Sequence, residues 1–149
     1  MNNNDLNQDD NLDDPGIDFE TYNLEEEIEK YKECHPQGYQ IVLRIYKPKL
    51  EKKSKGGILL ASTVLDKQHQ DDKFINFVGL VVKMAPGVYK DEERYRFTGP
   101  YCKVGDWVMV PRAHAHTYSH RGLTSMTISE DKILQVIDDP RVIARISAN

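Results

Sequence analysis

The sequence predicts an all-β fold, a small partly open barrel preceded by one short helix. Two observations carry this. Val, Ile, Leu and Tyr are concentrated between Tyr39 and Ile137, although the chain as a whole is polar with a mean hydropathy of −0.63. Inside that region the apolar residues come in short runs rich in β-branched and aromatic side chains, and Gly or Pro closes them. A chain of 149 residues has room for one domain with a real core plus tails. The runs are few, which favours a small barrel over a sandwich.

Each element follows from its local pattern. Residues 1–37 form an acidic extension, with roughly twelve Asp or Glu against two Lys as far as Glu33. Its first part, Asn2 to Phe19, is Asn- and Asp-rich and interrupted by Pro15-Gly16. It has too little apolar surface to offset its ordering entropy, so it is expected to be disordered unless a partner orders it. Leu24, Ile28 and Tyr31 then recur at helical spacing, with Asn23 placed to cap and acids in the first turns, and His35-Pro36-Gln37-Gly38 stops the helix. Residues 38–138 carry the strands: GYQIVLRIYKP, FINFVGLVVKM with Gly79 inside it, and CKVGDWVMVP. An interior glycine marks a bulge or a close backbone approach. APGVYKDEERYRFTGPY, punctuated at Pro86-Gly87 and Gly99-Pro100, reads as a projecting loop or hairpin. LTSMTISEDKILQVI gives a strand, a turn over Ser129 to Lys132 and a last strand, and residues 139–149 form a tail.

Several function classes are disfavoured by composition. The net charge is −4, and no basic stripe interleaved with aromatics is present, so a nucleic-acid partner is not expected. No apolar run approaches the roughly 18 residues that span a bilayer, and the first residues lack a signal-peptide pattern, so a cytoplasmic protein without a membrane partner is expected. Cys34 and Cys102 stand in no short-spaced metal pair and are expected as reduced thiols. No G-x-S-x-G, triad or phosphate-loop pattern occurs, which argues against an enzyme.

The odd part is the connection from Lys47 to Lys73, about 27 residues long and well beyond the usual length, as functional loops tend to be. Within it, Gly56 and Gly57 free the backbone and are followed by Ile58, Leu59 and Leu60. In order, the strand QIVLRIYKP, this Gly-Gly-Ile-Leu-Leu run, Gly79-Leu80-Val81-Val82 with Pro86-Gly87, Val104-Gly105-Asp106-Trp107-Val108 and the closing ISEDKILQVID resemble the GroES-like co-chaperonins, over about Gly38 to Asp138. The resemblance implies a lid that caps an ATP-driven chaperonin and assists folding. Ile58, Leu59 and Leu60 of a mobile loop would touch the chaperonin, with Gly56 and Gly57 as the hinge and a roof hairpin above. It also implies a homo-oligomer, a heptameric ring, with no cofactor of its own because ATP belongs to the partner. Burying three large aliphatics is worth roughly 1.5 to 3 kcal/mol each, whereas ordering a loop costs about 1 to 2 kcal/mol per residue. One loop should therefore bind weakly, and a ring of loops gains about 10² to 10⁴ in avidity.

Two other readings fit parts of the sequence. The family begins near its first strand and ends near its last, and those strands join neighbouring subunits. Here both ends are extended, and the segment before Gly79 is longer, as in virus-encoded relatives. The same barrel could thus serve as a structural or decoration protein of a virus particle anchored by its tails, with the Gly-Gly-Ile-Leu-Leu run packed as an ordinary buried strand. The other reading starts from RAHAHTYSHRG. On a strand His114 and His116 would face the same way, and with His120 they could ligate a borderline metal in a cupin-like protein. Solvated loop histidines are the blander reading, and no separate ligand strand of a cupin is present.

Overall fold

The computed structural model describes residues 14–47 and 76–143, and these form one six-stranded antiparallel sheet with a single short α-helix. The helix α1 spans Leu24–Glu29, and the strands are β1 Gln40–Ile45, β2 Asn76–Met84, β3 Trp107–Pro111, β4 His116–His120, β5 Leu123–Ser129 and β6 Gln135–Ile137. Their order across the sheet is β4-β5-β1-β2-β3-β6. The sheet is not a closed barrel: β4 and β6 are its two edges.

The strand nobody would read from hydrophobicity is β4. HTYSH has almost no buried side chain, yet it pairs with β5 from His116↔Thr127 to His120↔Leu123. A two-residue turn joins them, with φ of +52° at Arg121 and +82° at Gly122. Two successive positive φ values are the signature of the hairpin turn whose twist suits paired strands. Arg121 takes a conformation usually left to Asn or Gly, and that hid the turn in the sequence.

Gly79 meets the expected close approach. A Cβ there would lie 3.0 Å from the Arg44 carbonyl oxygen and 3.1 Å from Leu43 Cβ. The bulge falls elsewhere, between Val42 and Leu43 in their pairing with β2. Gly105, the centre of the Val104-Gly105-Asp106 motif, has φ +101° and donates its N–H to Val81 O at 2.9 Å. Asp106 closes the same turn by accepting from Lys103 N at 3.0 Å. The motif is thus a turn docked on β2, and its glycine and aspartate are explained by local geometry.

Both faces of the sheet are covered. On one, Ile41, Leu43 and Ile45 of β1 pack with Val81, Val108 and Met126. The segment 85–103 closes this side through Val88 and Cys102. It is a series of turns with no strand pair, so the expected roof hairpin is not formed as strands; Tyr89, Tyr95 and Tyr101 instead stack edge-on or tilted at 5.0 to 5.5 Å between ring centroids. On the opposite face Val42, Val78, Leu80 and Trp107 meet Ile17 and Tyr31 from the N-terminal extension. Phe19 lies 5.8 Å from Trp107 and 6.0 Å from Tyr46, ring to ring. From Asp14 onward, therefore, a segment whose composition offers little drive to order is seated on the sheet by Ile17, Phe19 and the buried acid Asp14.

α1 starts as its sequence requires, with the Asn23 side chain accepting from Glu26 N at 3.1 Å and three acids in the first turn. It ends sooner than the spacing suggests. Tyr31 leaves the helix in a tight turn, donating its backbone N–H to Ile28 O at 3.0 Å, and its side chain is completely buried against β5.

Candidate functional site

Ionic groups buried on the covered face form the most unusual local chemistry among the described residues. Arg44 alternates in β1 with apolar residues and would read as an outward-facing polar position. It is 2% exposed. Its Nη1 donates to Glu27 and its Nη2 to Asp14 Oδ1 at 3.2 Å, both carboxylates being buried as well. Burial alone would lower the Arg44 guanidinium, but Asp14 and Glu27 beside it carry it above its ordinary value. Asp14 is also held by the backbone, accepting from Gly16 N at 2.8 Å and Thr124 N at 2.9 Å. Glu27 takes a second cation, Lys30 Nζ at 2.9 Å. Every one of these bonds ties the extension to β1 or β5, or orders the extension itself. Next to the cluster the Tyr31 hydroxyl bonds with Ser125 Oγ, and burial pushes it well above the usual phenol range.

The histidines do not assemble. His114 lies in the 3₁₀ turn Arg112–His114 and not on a strand with His116, so the expected shared facing of these two is not realised. His116 and His120 do lie on one side of β4, but at about 3.3 Å per residue they stand roughly 13 Å apart, far beyond what one metal bridges. His120 is already occupied: its Nε2 donates to the Lys30 carbonyl at 2.8 Å, and its ring stacks on Tyr31 at 4.7 Å. Nδ1 is thereby left to accept from the Cys34 thiol, 3.8 Å away. Among the described residues no three His, Cys, Asp or Glu come together as a metal site. His120 is a packing residue that pins the extension to the β4–β5 hairpin. Changing His114 and His116 together to Ala is expected to leave the metal content of the purified protein and its unfolding free energy unchanged within about 0.5 kcal/mol. His120→Ala should cost about 0.5–1.5 kcal/mol by the same denaturation measurement, because it strips Tyr31 of its stacking partner and removes the hydrogen bond to the Lys30 carbonyl.

Neither thiol has the character of a nucleophile. Burial and then the Glu33 carboxylate raise Cys34, and burial pushes Cys102 up to about 11. Both are protonated at neutral pH, the opposite of an activated cysteine. No helix among the described residues is long and apolar enough to cross a membrane.

Gly56, Gly57, Ile58, Leu59 and Leu60 lie outside the described residues. What is described is the frame from which they depart. β1 and β2 are direct antiparallel neighbours, paired from Ile41↔Met84 to Ile45↔Gly79. Such neighbours need only a short turn. The sheet therefore does not require the long connection between them. The Asp14–Arg44–Glu27 cluster, by contrast, escaped sequence reasoning altogether. The one available signal was an arginine inside an otherwise apolar run, opposite an extension rich in acids. Neither a family model nor a curated protein matches the sequence.

Proposed function

We propose that the protein is a co-chaperonin lid built on a GroES-like barrel, binding a chaperonin ring through Ile58, Leu59 and Leu60 and performing no chemistry itself. The observation that carries this reading is the connection between β1 and β2. It joins two strands that already pair, it is far longer than their pairing requires, and it contains the aliphatic tripeptide Ile58-Leu59-Leu60 directly after two glycines. The order of motifs along the chain supports the same assignment. Under this reading the aliphatics dock on the partner, Gly56 and Gly57 supply the hinge, and ATP stays with the chaperonin.

A lid of this kind needs several loops acting together, and the sheet offers a means of association. β6 is a three-residue edge strand, and Leu134 and Val136 on and beside it are 56% and 44% exposed. An edge that no described strand pairs, with apolar side chains, is suited to pairing with another copy, and a head-to-tail contact repeated around an axis closes a ring. Native mass spectrometry should show a discrete ring of several copies for the wild-type chain and a monomer for the Leu134→Asp/Val136→Asp variant. A wild-type monomer at micromolar concentration would remove the avidity on which the reading depends.

The virion-protein reading uses the tails as anchors. Residues 14–34 are already committed to the chain's own sheet through buried ion pairs and aromatic packing, so this part of the extension is not free to grip a neighbour. Under the lid reading β1 lies inside the sheet between β5 and β2, so neighbouring copies would meet through the β6 edge and not through the first strand.

A further inference from the structure

We infer that the N-terminal segment around Asp14–Ile17 is a positioning device that fixes the point from which the long β1–β2 connection leaves the sheet. Strand β1 ends at Ile45, and Lys47 is the last described residue before the connection. Among the described residues, two backbone bonds hold the chain beyond the end of the strand. Tyr46 N–H donates to Val78 O at 2.7 Å, and the Lys47 carbonyl accepts from Ile17 N–H at 2.8 Å. The second comes wholly from the extension. Ile17 is in turn immobilised by its buried side chain and by the turn before it. In that turn Gly16 takes φ +83°, and Asp14 Oδ1 accepts the Gly16 N–H at 2.8 Å.

Asp14 is the fixed point of this arrangement. It binds β1 through Arg44 at 3.2 Å and β5 through Thr124 N at 2.9 Å, and Arg44 also reaches the Gly16 carbonyl at 3.4 Å. The acid, the turn and the amide of Ile17 thus form one clasp across β5, β1 and the root of the connection. The clasp takes over where the ladders stop, since pairing of β1 with β5 ends at Arg44↔Ser125 and with β2 at Ile45↔Gly79. What it does is order Tyr46 and Lys47 when the chain folds, so that they need not be ordered when a partner binds.

The consequence for binding rests on the co-chaperonin reading, whereas the clasp does not, and one experiment separates the two. Amide hydrogen exchange is followed in the full chain for wild type, Asp14→Asn and Ile17→Ala. Asn at position 14 keeps one acceptor oxygen and sets an NH₂ group against one of the two sets of N–H donors, Gly16 and Arg44 on one side or Thr124 on the other, while Glu27 still neutralises Arg44, so the sheet survives. Ile17→Ala loosens the same clasp without touching the ion cluster, which covers the case in which Asp14→Asn does not fold. The expected result is exchange at least tenfold faster at both Ile17 and Tyr46, with Val81, whose N–H bonds Asp106 O at 2.9 Å, unaffected. Rapid exchange at Ile17 with Tyr46 as protected as before would overturn the inference, as would continued protection of Ile17 in both variants. In a second arm, affinity for a bacterial chaperonin with ATP should fall about tenfold per engaged loop in the variants. Wild-type affinity in a variant whose Tyr46 has become labile would sever the clasp from binding. Absence of wild-type binding would remove the co-chaperonin reading and leave the exchange result to decide the clasp.

Discussion

Replacing Arg44 with Met is expected to destabilise the protein by about 3–5 kcal/mol, because it leaves two buried carboxylates without their shared cation. Asp14 and Glu27 are 4% and 6% exposed, so water cannot take over the role of the guanidinium without opening the covered face. For a domain of this size that corresponds to a fall in Tm of roughly 10–20 °C, at about 2–4 °C or somewhat more per kcal/mol. The Asp14→Ala/Glu27→Leu/Arg44→Met combination should regain much of the loss, since a buried ionic cluster can be exchanged for apolar packing at little net cost while a broken one cannot. Thermal and urea unfolding of the single and triple variants check both statements. If the single variant loses less than about 1 kcal/mol, the extension is an accessory to the fold and not part of it.

The second large effect concerns binding. Ile58→Ser and Leu60→Ser should each abolish measurable association with a chaperonin ring while leaving the unfolding midpoint unchanged. Losing one large aliphatic removes roughly 1.5 to 3 kcal/mol from each contact. In a ring that loss recurs at every engaged loop, so a modest change per site becomes a collapse in avidity. The unchanged midpoint is as much a part of the expectation as the lost binding. Were either serine variant to unfold sharply, the tripeptide would be core, and the Gly-Gly-Ile-Leu-Leu run would be an ordinary buried strand.

What could be read from the sequence follows from how local each signal is. β1, β2, β3 and β5 were visible because their apolar residues are contiguous and bounded by turn residues, and the Asn23 cap was visible because capping is settled within four residues. β4 was not, since an edge strand facing solvent on both sides has no hydrophobic pattern and is defined by its partner. The same reason explains Arg44. Alternation in β1 placed it opposite Leu43 and Ile45, and only the arrival of Asp14 and Glu27 from the extension turns an outward position into a buried one. Tyr31 left its helix for a related cause, the space between β5 and His120. The histidine constellation showed the converse error: three imidazoles close in sequence were spread over a turn and along a strand, where backbone geometry keeps them apart. Gly56 to Leu60 stand out in the sequence for their composition, and the described sheet adds that β1 and β2 do not need them to pair.

The measurement that tests the central claim most directly is co-sedimentation of the purified full chain with a bacterial chaperonin, with and without ATP, using Ile58→Ser as the control. The account predicts nucleotide-dependent binding of the wild-type chain that the variant loses. A well-folded wild-type protein that fails to sediment with the chaperonin in either nucleotide state would contradict it.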